Sequence, residues 1–154
     1  CVIHQPSYSM LNRWVEEGLL DVLGDEGIGM IPFSPLAQGL LSTKYLDGMP
    51  SNSRAAENDS FSRDFLSESN IERVRSLNKI ATRRDQSLAQ MAISWVLRDP
   101  RVTTALVGAS RWSQVEELLA APHRTEFSAE ELAEIDDYAI DGSLNLWATS
   151  SNNT

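Results

Sequence analysis

Residues 87–118, SLAQMAISWVLRDPRVTTALVGASRWSQVEEL, decide how this chain folds. Ser87 and Gln90 stand at capping-box spacing, and Leu88, Met91, Ala92, Trp95 and Val96 follow at helical intervals. The helix stops before Pro100, whose ring cannot continue it. A β-branched and apolar run, 102–107, comes next and ends at Gly108. A second helical pattern then opens at once, with Ser110 as the expected N-cap and Val115, Leu118 and Leu119 on its apolar side. Helix, strand and helix joined by tight turns predict a parallel strand between crossover helices.

The turn at 108–111 admits two readings. A helix start leaves about four backbone N–H groups without intrahelical partners, and the macrodipole adds positive charge there. Gly108 lets the backbone turn without a Cβ, and Arg111 lies next to the helix start. The turn is either an ordinary strand-to-helix connection or an anion seat in which Arg111 grips a phosphate.

Outward from this unit, residues 1–5 and 29–33 are two more short apolar runs. None of the three alternates cleanly with polar residues, which predicts strands covered on both faces. Leu11, Trp14, Val15, Leu19, Leu20 and Leu23 predict one helix closed by Gly24 and Gly27. Ile71, Val74, Leu77, Ile80 and Ala81 predict another. Ser128 and Glu131 form a further capping box, leading to Leu132, Ile135 and Tyr138. Residues 47–64 read as a long polar loop, of the kind that is functional or disordered. Three strands cannot close an α/β sheet, and CVIHQ reads as a strand already in progress with no initiating methionine. The expectation is the carboxyl-terminal part of a longer protein, with a polar, frayed end at SSNNT.

A chain of 154 residues with 42% hydrophobic content can bury a core of one domain. A net charge of −9 disfavours a general nucleic-acid surface, so anion binding requires locally concentrated basic residues. Cys1 is the single cysteine and cannot form an internal disulfide, which fits a reducing compartment. No apolar run approaches the roughly 20 residues of a membrane span, and no signal-peptide pattern is present. These features predict a cytoplasmic protein with neither nucleic-acid nor membrane partners.

IPFSPLAQGLLSTKY, residues 31–45, places Pro35 and Gly39 around a tight loop after a strand, where parallel α/β folds hold ligands. Lys44 follows within reach of an anion in that loop, or is simply a solvated lysine. Gly27 and Gly29 precede their strand instead of following it, which rules out a dinucleotide fingerprint of the Rossmann type. His4 and His123 have no partners at metal-ligand spacing, and no Gly-x-Ser-x-Gly elbow supports a hydrolase. Acidic pairs at 116–117, 130–131 and 136–137 read as solvated helix faces. Trp14 and Trp95 fall on apolar helix faces and read as core. Trp112 begins the helix after Gly108, half exposed, and Trp147 stands in a tail where it plugs the surface or covers a pocket.

Taken together, QPSYSMLNR (5–13), GIGMIPFSPLAQGLLSTKY (27–45), SLAQMAISWVLRDPRVTTALVGAS (87–110) and QVEE (114–117) resemble the aldo-keto reductases. The likeness runs to about Tyr138 and points to the branch holding potassium-channel β-subunits and bacterial L-glyceraldehyde-3-phosphate reductases. It implies a partial (β/α)8 TIM barrel, an α/β fold of which residues 1–142 would supply the last three parallel strands with their helices, the NADP-binding side, followed by a tail at 143–154.

The resemblance also implies NADP(H) extended across the carboxyl ends of the strands. Gln5 would hydrogen-bond the nicotinamide carboxamide, an amide suiting an amide, and Phe33 would stack on the nicotinamide ring. Ser34, Pro35, Leu36, Gln38 and Gly39 would line the pyrophosphate, Lys44 would add charge, and Arg54 would close over the dinucleotide. Gly108, Ser110 and Arg111 would hold the adenosine 2′-phosphate, with Gln114 and Glu117 at the adenine end. The family pattern has an asparagine where this chain has Leu118. The family's catalytic tyrosine, lysine, aspartate and histidine belong to the first half of the barrel, and Tyr8, Tyr45 and Tyr138 do not match the tyrosine's motif. The implied parent is an NADPH-dependent reductase of small carbonyl substrates, or alternatively a redox-sensing subunit with little turnover. This chain alone would be inactive, with edges exposed where the missing half pairs, and homo-oligomerisation is left open.

Overall fold

A computed structural model describes residues 1–46 and 66–140. Three strand segments lie side by side and parallel. β1 (Ile3–His4) pairs with β2 (Gly29–Met30) in the register Ile3↔Gly29 and His4↔Met30. Met30 turns its amide and carbonyl the other way, to Arg101 O (3.3 Å) and Thr103 N (2.8 Å), and so joins the third segment through the bridge Met30↔Val102. Further bridges, Ser7↔Phe33 and Phe33↔Leu106, carry all three segments to a common end.

The regular ladders are shorter than the apolar runs at 1–5, 29–33 and 102–107, for two reasons. Pro6 and Pro32 lack the N–H that a ladder needs at that height. Between the two rows of bridges the third segment also spends four residue steps, Val102 to Leu106, where β2 spends three, Met30 to Phe33. The extra residue bulges the strand and interrupts pairing.

Among the described residues five α-helices follow from their local signals: α1 (Leu19–Asp25), α2 (Glu68–Arg83), α3 (Leu88–Leu97), α4 (Trp112–Leu118) and α5 (Ala129–Asp136). Both expected capping boxes form, at Ser87–Gln90 and Ser128–Glu131. The single helix expected from Leu11 to Leu23 does not. A 3-10 turn at Trp14–Glu16 and α1 replace it, separated by Gly18 at φ 104°, a left-handed conformation no right-handed helix can pass through. Gly24 lies within α1, and Gly27 at φ 65° closes it.

The helices cover one face of the strands. Met30 and Val102, neighbours across the sheet, are buried in a core with Leu20, Leu77, Leu88 and Met91. Trp95 is fully buried at the edge of that core, with Arg98 stacked 3.7 Å from its ring centre and Tyr8 5.4 Å away. A smaller cluster of Ala89, Ile93, Leu118 and Ala121 docks α4 on α3. The expectation of strands covered on both faces fails: Val2 is 81% exposed, and Ile3 and Leu106 are each 50% exposed. Among the described residues a helix layer exists on one side only. No described helix is long and apolar enough to cross a membrane. The expected loop at 47–64, Arg54, Trp147 and the boundary at 142/143 lie outside the described residues.

Candidate functional site

Several of the residues that the sequence marks as chemistry lie where the three strand segments end. The row Ser7–Phe33–Leu106 brings the three chain segments level, so Gln5, Phe33 and the 106–108 exit share one edge of the sheet. Gln5 is exposed, just beyond β1. Phe33 is half-buried, and its backbone is held twice: its N–H donates to Pro6 O (2.9 Å) and its carbonyl accepts from Tyr8 N–H (3.3 Å).

Immediately after Phe33 the backbone departs from ordinary conformations. Ser34 (φ 56°), Ala37 (φ 47°), Gln38 (φ 57°) and Gly39 (φ 95°) are all left-handed, and three of the four carry a Cβ. Each non-glycine residue in that region costs on the order of 1 kcal/mol or more and persists only when its surroundings enforce it, which is typical of ligand-holding loops. Turn bonds do the enforcing here: Ala37 N–H to Ser34 O (2.9 Å), Gly39 N–H to Leu36 O (2.9 Å) and Leu41 N–H to Leu36 O (3.1 Å). Pro35 is buried beneath the loop, Leu36 packs against both core clusters, and Gln38 is exposed. Ser42 Oγ donates to Gly39 O (2.6 Å) and accepts from Lys44 N–H (3.4 Å), capping the 3-10 turn Thr43–Tyr45. Lys44 is exposed, with its ammonium 5.3 Å from the Tyr45 ring centre. Successive amides in alternating hands form the concave nests that take anions.

At the third strand's end, Gly108 has open space where a Cβ would stand. The cap of α4 is Arg111, one residue later than the Ser110 expected. Gln114 explains the shift: its Oε1 accepts from Ser110 N–H (2.9 Å), Ser110 Oγ (3.2 Å) and Arg111 N–H (3.2 Å), folding the turn back on itself. Arg111 is exposed and has no carboxylate partner among the described residues, whereas Arg13, Arg84, Arg98 and Arg101 each have one. Glu117 points elsewhere. Its carboxylate accepts from Ser87 Oγ (2.6 Å) and its carbonyl from Gln90 Nε2 (2.9 Å), tying α4 to the start of α3. Leu118 is buried between those helices.

Behind the edge lies a support that residue-by-residue reading missed. Trp14 Nε1 donates to Ser7 O (2.9 Å), and Asn12 Nδ2 donates to Ser7 Oγ (3.1 Å). Tyr8 donates its hydroxyl to Glu16 Oε1 (2.6 Å) and accepts from Arg98 Nη1 (3.2 Å). Burial pushes the Tyr8 phenol well above its ordinary range, so it stays protonated and locked in place. QPSYSMLNR was the available signal, but the spacing of its polar residues has no period that announces a network.

The edge suits an extended, multiply anionic ligand. It offers a strained amide-rich loop at one place and, at the other, an arginine beside open backbone that has no carboxylate partner among the described residues. No cluster of metal-ligating side chains exists among the described residues.

L-glyceraldehyde 3-phosphate reductase of Escherichia coli O157:H7 is 53% identical over 155 residues, covering 97% of this chain and 45% of that protein. A probable voltage-gated potassium channel subunit beta of Arabidopsis thaliana is 38% identical over 124 residues, 78% of this chain and 38% of the other. The holo form of an aldo-keto reductase from Bacillus halodurans matches with a TM-score of 0.67 at 25% identity, over 89% of this chain and 42% of that one. This chain thus spans about 45% of the length of the curated reductase it matches. The sequence model of the aldo/keto reductase family matches residues 1–140, all but the last fourteen, and the chain belongs to that family.

Proposed function

We propose that this chain is the NADP(H)-binding portion of an enzyme that reduces aldehydes or ketones to alcohols, and that it contributes the last three strands of a (β/α)8 barrel. One observation carries the reading: the parallel bridge Phe33↔Leu106 sets the strained 34–39 loop and Arg111, which has no carboxylate partner among the described residues, at the same edge of the sheet. When bound, the dinucleotide supplies the hydride. Gln5 and Phe33 hold and orient its nicotinamide end. The 34–39 loop, with Lys44 nearby and Arg54 from the segment beyond, takes the pyrophosphate. Gly108, Ser110 and Arg111 hold the 2′-phosphate, the guanidinium matching a dianion in both charge and geometry.

The chain supplies no proton donor in this scheme. Tyr8 and Tyr45 are both buried, and the catalytic tyrosine, lysine, aspartate and histidine come from the first half of the barrel. That half is therefore the chain's necessary partner, and without it the chain is inactive. The reductase relatives favour a small phosphorylated aldehyde as substrate. The potassium-channel relatives favour a second reading, a redox-sensing subunit. Turnover of glyceraldehyde 3-phosphate by the parent protein separates them, since a sensor binds NADPH without it.

The cofactor assignment is tested by Arg111→Ala in the parent protein, with NADPH and NADH titrated separately. NADPH affinity is expected to fall about tenfold or more, as for loss of a charged hydrogen bond, with NADH little changed. Equal losses for both nucleotides reject the 2′-phosphate seat.

A further inference from the structure

We propose that Trp112 is the platform on which the adenine ring of the bound nucleotide stacks. This inference rests on the nucleotide reading above and adds a residue to it. Trp112 is the first residue of α4, directly after Arg111, and is 73% exposed. Its indole makes no ring or cation–π contact among the described residues, unlike Trp95, which is packed on Tyr8 and Arg98. Trp14 is also engaged, donating its indole N–H to Ser7 O. An indole carries enough apolar area that leaving it in water forgoes a large burial gain.

The positions first assigned to the adenine end are occupied otherwise. Gln114 spends its amide oxygen on the backbone of Ser110 and Arg111. Glu117 is bonded to Ser87 and Gln90. Leu118 is buried against α3 and has no polar atom to offer the base. At those three places Gln114 Oε1 and one Glu117 oxygen are thus already engaged, and Leu118 offers the base no polar atom.

Covalent chemistry puts the base beside Trp112. The 2′-phosphate and the adenine hang on adjacent carbons of one ribose, so a nucleotide whose phosphate meets Arg111 carries its base within one side chain's reach. Consecutive Cα atoms stand about 3.8 Å apart, which makes the next residue the natural neighbour of that base. Stacking needs a flat π-face and no hydrogen-bond code, and an exposed indole supplies it. A base held in this way explains how a chain with Leu118 in place of asparagine still engages adenine.

The test titrates 2′,5′-ADP and 5′-AMP into the parent protein carrying Trp112→Ala, Trp112→Phe or Arg111→Ala, with indole fluorescence as a second readout. Trp112→Ala is expected to weaken both nucleotides about tenfold, the scale of one base–aromatic stack, and Trp112→Phe to keep most of the affinity. Arg111→Ala is expected to weaken 2′,5′-ADP far more than 5′-AMP. Wild-type emission is quenched by 2′,5′-ADP, and Trp112→Phe loses most of that quenching. Because the indole is largely exposed and makes no ring or cation–π contact among the described residues, the thermal midpoint should move little. If Trp112→Ala binds both nucleotides normally while Arg111→Ala still discriminates, stacking is wrong and the phosphate seat stands. Should neither variant alter binding, both fall. Unchanged binding by Trp112→Ala with an altered oligomeric state would identify the indole as a protein contact and overturn the proposal.

Discussion

Gly29 shows what a single residue must give up for three strands to run together. A Cβ built there would stand 2.6 Å from Thr103 Oγ1, inside van der Waals contact. Gly29→Ala is therefore expected to lower the thermal midpoint by several degrees, as a clash costing about 1–3 kcal/mol would. Thr103→Ala added to it should restore most of the loss by removing the oxygen. If the double variant is no more stable than Gly29→Ala alone, the close approach is not what the glycine serves. Residue chemistry at the candidate site was legible unevenly. Phe33 and Arg111 stand beside strand ends. Glu117 does not declare from sequence that Ser87, thirty positions earlier, will claim its carboxylate. The positive φ angles at Ala37 and Gln38 are equally silent, because neither residue type advertises a left-handed backbone.

Among the elements, helix starts were read best, because a cap is a local bargain between residues three apart. Ser87 shows the local and the tertiary acting on one oxygen: Oγ accepts from Gln90 N–H (3.2 Å) and donates to Glu117. Ser87→Ala should cost about 1 kcal/mol for the cap, with a further loss where α4 detaches, measured as a drop in chemical-denaturation midpoint. Ser87→Thr keeps the hydroxyl and both of its partners and should stay near wild type. An alanine variant as stable as wild type would show that the cap is not contributing. Strand lengths and the Leu11–Leu23 helix were read poorly. Apolar spacing is satisfied equally by one helix or by a 3-10 turn and a helix meeting at Gly18. The broken form, turning at Gly18, lets Trp14 reach Ser7 O and Tyr8 reach Glu16.

For the molecule as a whole, charge and packing set how it responds to acid. Arg101 donates to Asp99 through Nε (2.8 Å) and Nη2 (2.7 Å), and these bonds hold the carboxyl below its ordinary range. The Ser128 N–H does the same for Glu131, with help from Arg84. Carboxyls depressed in the folded state bind protons more readily when unfolded, so their stabilisation is present above the ordinary carboxylate range and lost as pH falls through the folded-state values. Stability should therefore decline progressively below about pH 5. Asp99→Asn should be less stable at neutral pH and show a flatter decline. Matching slopes for the two proteins in denaturation series across this range would dismiss that role for Asp99. The open sheet face, with Val2, Ile3 and Leu106 exposed, is the other molecular property. Unpaired strand edges invite association, which fits a chain that spans under half of its reductase relative.

By itself the sequence determined the order of helices and parallel strands, the caps at Ser87 and Ser128, and the family, because those are written in spacings of a few residues and in ordered motifs. Tertiary structure alone decided that Phe33 and Leu106 become neighbours, that Gln114 and Glu117 are spent on internal bonds, and that the indole of Trp112 is left facing solvent. Periodicity is a property of one segment. Which atoms remain available to a ligand depends on which partners the other segments bring within hydrogen-bonding distance.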